Sequence, residues 1–205
     1  MPMPFLSYTP LPPDGASIRL LRVQPSSDKD AQIQCTLLSA SIEEAQKIPY
    51  EALSYTWGDA TQTCDIAING TNFPATVNLE GALRALRKLD EPRTLWVDAV
   101  CINQSDLQEQ GSQVKMMWDI YKNAERVLVW LGPEEGDSAI AMEDMTRQTT
   151  QERISQLVEK RITPSHYNGK CDCSMWDVEP PPVGIHDVLG RQWFTRVWVG
   201  IPSPV

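Results

Sequence analysis

The chain has no run approaching the roughly 20 apolar residues that a bilayer-spanning helix requires, so insertion into a membrane is not expected. Its start, Met1-Pro2-Met3-Pro4-Phe5, lacks the basic and long apolar regions of a secretory signal. Glycine-rich phosphate loops of the GxxxxGK or GxGxxG type are missing, so a nucleotide would have to be held without such a cradle. Positive charge is in deficit. Against 27 Asp and Glu stand 18 Lys and Arg, a net charge of -9, which excludes broad attraction to nucleic acid or an anionic membrane. Five cysteines at irregular spacings leave one unpaired in any full disulfide scheme, so the thiols are read as reduced and the location as cytoplasmic. Histidine occurs twice, as His166 and His186, both in an irregular tail. Together with Cys171 and Cys173 they are zinc-compatible ligand types, but the paired CxxC spacing is missing and no metal site is assigned.

What is present is a globular composition. A chain of 205 residues that is 41% hydrophobic can form one domain of ordinary size plus tails. One stretch stands out, Leu95-Trp96-Val97-Asp98-Ala99-Val100-Cys101-Ile102-Asn103-Gln104. Leu95 to Val100 is apolar apart from Asp98, which predicts a strand buried on both faces. Asp98 falls near its carboxyl end, and Cys101, Asn103 and Gln104 follow in the exit loop, where open α/β sheets place their ligands. Cys101 as a nucleophile would need a nearby base, and free cysteine is commonly a buried packing residue.

Residues 1–16 carry five prolines and predict an extended arm. Ile18 to Val23 and Ile33 to Leu38 are β-type runs able to pair as a hairpin with a longer loop. Ala52, Leu53, Tyr55 and Trp57 predict a half-buried strand that turns at Gly58-Asp59. Asp65 to Asn69 and Phe73 to Val77 flank Gly70-Thr71-Asn72 as a small hairpin. Asn78 is placed to cap a helix with Leu79, Ala82, Leu83, Leu86 and Leu89 on one stripe. After the Leu95 strand, Ser105-Asp106-Leu107-Gln108 reads as a capping box, opening a helix with a stripe of Val114, Met117, Trp118, Tyr121 and Ala124. Arg126 to Leu131 returns as a strand. Ser138 to Ile162 is helix-permissive, and 163–184 is an irregular, proline-rich insertion.

Strand, helix, strand, helix, strand predicts an α/β fold with a mainly parallel sheet and crossover helices, small β-hairpins and an irregular C-terminal segment. Three strand ends then converge on one edge, bringing together Gly58-Asp59, Asp98 through Gln104, and Gly132 through Glu135. Trp57, Trp96, Trp118 and Trp130 all fall on core patterns and are read as packing.

Four blocks now stand in order: Ile18-Arg19-Leu20-Leu21; Tyr50 through Asp59; Leu95 through Gln104 running into Gln113-Val114-Lys115-Met116 and Ile120-Tyr121; and Val127 through Gly132. Together they resemble the fungal heterokaryon incompatibility (HET) domain, from about Ile18 to Trp198. Trp193-Phe194-Thr195-Arg196-Val197-Trp198-Val199 is similar to that family's third conserved region. The expected layout is an arm at 1–16, a HET-like domain at 17–199 with its core at 50–135, and a non-matching tail at 200–205. Where the family continues into a Gln-Glu pair, this chain reads Gly200-Ile201-Pro202-Ser203-Pro204-Val205, which reads as a C-terminal truncation with a read-through or mis-spliced tail. Glu109-Gln110-Gly111 is a second departure, since Gly111 costs a helix about 1 kcal/mol relative to Ala.

The resemblance implies a module of non-self recognition that triggers programmed cell death, acting through a protein partner or self-association. It also implies a distant likeness to Toll/interleukin receptor (TIR) domains, some of which cleave NAD. No TIR catalytic motif aligns here, so no catalytic residue is carried over. From the residues themselves, the catalytic candidates are Asp98 and Glu109, and the ligand-binding candidates are Asp59, Asn103 and Gln104. Each has a plainer role: Asp98 as an acceptor for loop backbone, Asp59 as a turn residue, Asn103 and Gln104 as loop braces, Glu109 as a charge on a helix N-terminus. Three functions follow as expectations. These are a signalling module, an enzyme that cleaves NAD or another nucleotide with NAD as substrate rather than cofactor, and an inert or regulatory truncated product.

Overall fold

A computed structural model describes residues 6–12, 16–147 and 185–195. The chain divides into two compact units, Met1–Gly132 and Pro133–Val205. The first is built on one seven-stranded sheet. Its strands are β1 (Ser17–Val23), β2 (Gln34–Ser41), β3 (Glu51–Tyr55), β4 (Thr63–Ile68), β5 (Thr71–Thr76), β6 (Arg93–Trp96) and β7 (Arg126–Trp130), in the spatial order β5-β4-β2-β1-β6-β3-β7. Its helices are α1 (Ile42–Ala45), α2 (Val77–Leu86), α3 (Asp98–Cys101) and α4 (Leu107–Asn123).

The sheet is mixed, which corrects the expectation of a mainly parallel one. β3 lies parallel between β6 and β7, as strand–helix–strand alternation demands. β1, however, runs antiparallel to both β2 and β6, and β4 antiparallel to β5, while β2 and β4 are parallel. The β1–β2 hairpin forms as expected. What local pattern does not encode is the insertion of β1 beside β6, a pairing between residues some 70 positions apart, Leu21 with Leu95.

Several boundaries move for identifiable reasons. The β4–β5 turn is Asn69-Gly70, both with positive φ (52° and 76°), the two-residue turn whose twist suits a hairpin, so Thr71 already belongs to β5. α2 is capped by Thr76, whose hydroxyl accepts from Leu79 N, and Asn78 is released for another task. β3 is buried at all five positions rather than half-buried. β6 stops at Trp96, and Asp98 begins the short helical turn α3 instead of continuing the strand. α4 is capped by Asp106 rather than Ser105, its Oδ1 accepting from the backbone N of Gln108 and Glu109.

The largest correction concerns the face that α4 buries. Gln113, Met116 and Ile120 point inward, with Met117, Tyr121 and Ala124 partly buried, whereas Val114 and Trp118 are 55% and 65% exposed. Gln113 can take a core position because its Nε2 donates to Ser17 O at 2.8 Å, anchoring the helix to β1. Inside the sheet, Trp96 is fully buried and meets the Tyr121 ring edge-on, with centroids 5.5 Å apart. Ala52 and Val127 align with Trp96 in register and so share its face of the sheet, on which Ala52 is buried and Val127, on the edge strand, is exposed.

At the amino ends of the parallel strands, the buried Glu51 carboxylate accepts from both Arg93 and Arg126. The Arg93 hydrogen bond, more than any other influence, holds its carboxyl below the usual range. The arm has no regular structure over residues 6–12, yet it is docked: Leu6 packs on the core and Tyr8 Oη donates to Val100 O at 3.0 Å.

The second unit contains α5 (Ser138–Arg147), α6 (Ile185–Leu189) and a 3-10 turn (Gln192–Thr195). Arg191 fastens it, donating to Pro133 O and Ser138 Oγ, while Asp187 accepts from Asp137 N. Glu134 and Glu135 belong to this unit, while Gly132 closes the first. The insertion at 163–184 and the tail at 200–205 fall outside the described residues. Among the described residues no helix is long and apolar enough to cross a membrane.

Candidate functional site

The carboxyl ends of β6, β3 and β7 share one edge because those strands are mutually parallel. Register extends the edge to β1, whose antiparallel pairing with β6 carries Arg19 toward the residues that follow Trp96. Two bonded groups of side chains stand there.

The first is a lip. Past the end of β3, the half-exposed Trp57 donates its indole N–H to Asp98 Oδ2 at 3.1 Å. Asp98 Oδ1 accepts from Ala99 N at 2.7 Å, and its carbonyl accepts from Gln104 Nε2 at 3.0 Å. Gln110 Nε2 then donates to Gln104 Oε1, tying the loop to α4. Asn78, freed from capping, donates to Thr56 O at 2.6 Å and accepts from Trp130 Nε1 at 2.9 Å, bridging the ends of β3 and β7. Gly58 turns the chain with φ of 74°, and a Cβ there would sit 3.4 Å from that of Asn78.

The second is a lock. Arg19, on β1 and 1% exposed, meets Glu109 through Nη1–Oε1 at 2.6 Å and Nη2–Oε2 at 2.9 Å, the two-pronged geometry a guanidinium favours. Glu109 Oε1 also accepts from Asn103 N at 2.7 Å. Arg19 further donates to Cys101 O and Thr9 O, and its guanidinium lies 4.9 Å from the Tyr8 ring centroid. Burial pushes the Glu109 pKa upward, but the Arg19 hydrogen bonds and charge and the Asn103 N–H outweigh it and hold the carboxyl below its usual range.

Asp98 and Gln104 are thus bonded in the lip, Asn103 and Glu109 in the lock. Asp59 keeps to its own turn, where Oδ1 accepts from Thr61 N and Oγ1, and the Thr61 hydroxyl lowers its pKa. Cys101 is fully buried, its Sγ accepts from Val97 N, and burial pushes its thiol up to about 12, so no thiolate is available there. Trp96 is packing as expected, but Trp57 and Trp118 lie largely at the surface. Among the described residues no group of three or more His, Cys, Asp or Glu could hold a metal ion. His166, Cys171, Cys173 and the His186 side chain lie outside those residues.

Sequence reasoning overlooked Arg19 and Asn78. Arg19 had a readable signal, a lone charge inside the apolar run Ile18 to Leu21, since a buried charge must be paired. Asn78 had none, because its position suited a helix cap equally well.

A family model for heterokaryon incompatibility protein (HET) matches residues 50–200, from the start of β3 onward. The chain belongs to the HET family. Over 153 residues, 68% of the chain, it is 39% identical to heterokaryon incompatibility protein 6, OR allele, of Neurospora crassa. That stretch covers 22% of the relative's length, so the chain corresponds to a minor part of a much longer protein. No solved structure matches the chain. The HET match contains Glu109 but begins after Arg19, so the lock joins the matched region to the strand that precedes it.

Proposed function

We propose that this chain is a cytoplasmic signalling module of fungal non-self recognition, triggering programmed cell death by associating with a protein partner or with itself. The HET match across residues 50–200, together with a relative named for heterokaryon incompatibility, carries this reading. The chemistry of the edge supports it. Glu109 is spent on a buried guanidinium and Asn103 N, and Asp98 on an indole and backbone, arrangements that brace loops. The distant TIR likeness belongs to the same proposal.

One observation favours a second reading. Trp57 and Asp98 reach the surface at the end of the parallel strands, where α/β sheets bind ligands. On that reading the strand-end edge that carries Asp59, Asp98, Asn103, Gln104 and Glu109 cleaves NAD or another nucleotide. Induced expression in a filamentous fungus, scored by vital-dye uptake, separates the two when combined with nicotinamide release by purified protein. A module keeps killing as Asp98→Asn and releases no nicotinamide; NAD cleavage abolished by Asp98→Asn would replace it with the enzyme. No killing by the chain alone, restored by a C-terminal Gln-Glu extension, would identify a regulatory or inert product.

A further inference from the structure

The arm is held to the core along one edge only. From Ser7 to Pro12 the side chains run exposed, half-buried, exposed, exposed, half-buried, exposed, with Tyr8 and Leu11 as the half-buried pair. Their separation of three residues is the repeat of the polyproline II helix, a prism with three edges. Sequence dictates the same backbone. Pro10 and Pro12 fix φ at about -65°, and Thr9 and Leu11, each preceding a proline, are driven out of the helical region into extended conformations.

Bonds as well as packing fix the inner edge. Tyr8 Oη donates to Val100 O at 3.0 Å, and the Tyr8 ring lies 4.9 Å from the Arg19 guanidinium, which also donates to Thr9 O at 2.8 Å. Arg19 is in turn paired with Glu109. The other two edges, Ser7 with Pro10 and Thr9 with Pro12, are exposed. An apolar arm that served only to cover the core would turn its proline rings inward; here the tyrosine and leucine lie inside and the prolines outside.

Domains that read proline-rich segments grip two edges of such a prism between aromatic side chains and leave the third alone. A ligand ordered beforehand loses less freedom on binding, and this arm is both proline-restricted and anchored.

Charge selects among such readers. Asp14 is the only charged side chain from Met1 to Ile18, and the first cation, Arg19, is buried. Grooves of the SH3 type set an acidic rim beside the prolines for a lysine or arginine of the ligand. This arm offers none, and the chain's net charge of -9 would repel such a rim. A WW-type groove, whose grip comes from tyrosine and tryptophan rings, needs no cation.

We propose that residues 7–12, centred on Thr9-Pro10-Leu11-Pro12, are a docking segment for a WW-type domain of a partner protein. This rests on the module reading and gives its protein partner a chemical class. A six-residue ligand buries less than the roughly 1,200 Å² of a standard interface, so the contact is weak and readily reversed.

Calorimetric titration of the full chain with a panel of purified WW domains that read unmodified proline segments, and with a purified SH3 domain, tests it. A WW domain should bind one to one, and Pro10→Ala combined with Pro12→Ala should weaken binding about tenfold or more while circular dichroism stays unchanged. A free peptide of residues 6–12 should bind no more tightly than the chain, which presents the segment already ordered. No binding by any WW domain would overturn the proposal, as would binding indifferent to the two prolines or binding by the SH3 domain alone. So would a free peptide that binds where the chain does not, since the docked arm would then be hidden. Killing without WW binding sinks the docking segment and leaves the module standing; WW binding by a chain that does not kill does the reverse.

Discussion

The lock and the lip leave the same edge of the same sheet, and each centres on a carboxylate, yet they place it in different physical situations. Glu109 is almost enclosed and faces a guanidinium that is itself 1% exposed. Asp98 faces an indole that is 43% exposed, beside backbone that water can also reach. The first carboxylate is a counter-ion without which the buried charge would be stranded. The second shares its bonds with a surface group. Position at a strand end therefore does not determine what an acid does; the partner's burial does.

The sharpest way to break this comparison is to remove the charge from the lock. Glu109→Gln leaves Arg19 buried without a counter-ion, and breaking a buried pair from one side costs about 3–5 kcal/mol. Urea unfolding at neutral pH measures it. A loss below about 1 kcal/mol, the worth of a surface pair, would show that the lock is not locked and would return Glu109 to the list of groups free to act on a ligand. Because Arg19 also holds Thr9 O and the Tyr8 ring, the variant should loosen residues 6–12 as well, read as faster amide exchange at Val100 and its neighbours.

Acid offers a graded version. Glu109 is held below its ordinary range in the folded chain, so its contribution is fully present above the unfolded glutamate value of about 4.3 and is lost as pH falls through the depressed folded value. The stability gap between the parent chain and Glu109→Gln should accordingly be constant near neutrality and close below pH 4. Glu51 is depressed in the same direction, by Arg93 first, and both proteins share that loss. A gap that stays constant down to pH 3 would mean that Glu109 does not titrate with folding.

Much of this arrangement was readable in the sequence, and the parts that were not share a cause. The parallel block β6-β3-β7 followed from alternation of apolar runs with capped helices, and the small hairpin from the glycine at Gly70, although its turn is Asn69-Gly70 rather than the expected Gly70-Thr71-Asn72. The lock did not, because Arg19 and Glu109 lie 90 residues apart and meet only once β1 has inserted antiparallel beside β6. The α4 register failed for the opposite reason. Counting apolar positions favours Val114 and Trp118, but the helix buries Met116 and Ile120, and the polar Gln113 joins that face because it donates to Ser17 O. Periodicity reports apolar surface without saying whether the protein's own core or a second molecule covers it.

The smallest expected effect sits at the lip. In Asp98→Asn the amide presents one oxygen where the carboxylate used two, so it can keep the bond from Ala99 N or from Trp57 Nε1 but not both. Water reaches the half-exposed indole and replaces the lost acceptor, which limits the cost to about 1 kcal/mol, the net worth of an ordinary hydrogen bond. Urea midpoints supply the number, and a change in tryptophan emission should accompany it, because Trp57 loses a charged neighbour. A loss of 3 kcal/mol or more, on the scale of the buried pair, would make the lip a second lock and erase the contrast. If stability instead changes by about 1 kcal/mol or less while cell killing disappears, Asp98 is acting on something outside the chain. The edge then has two carboxylates with separate duties, one that holds β1 and the arm to the HET core and one that faces a ligand or partner.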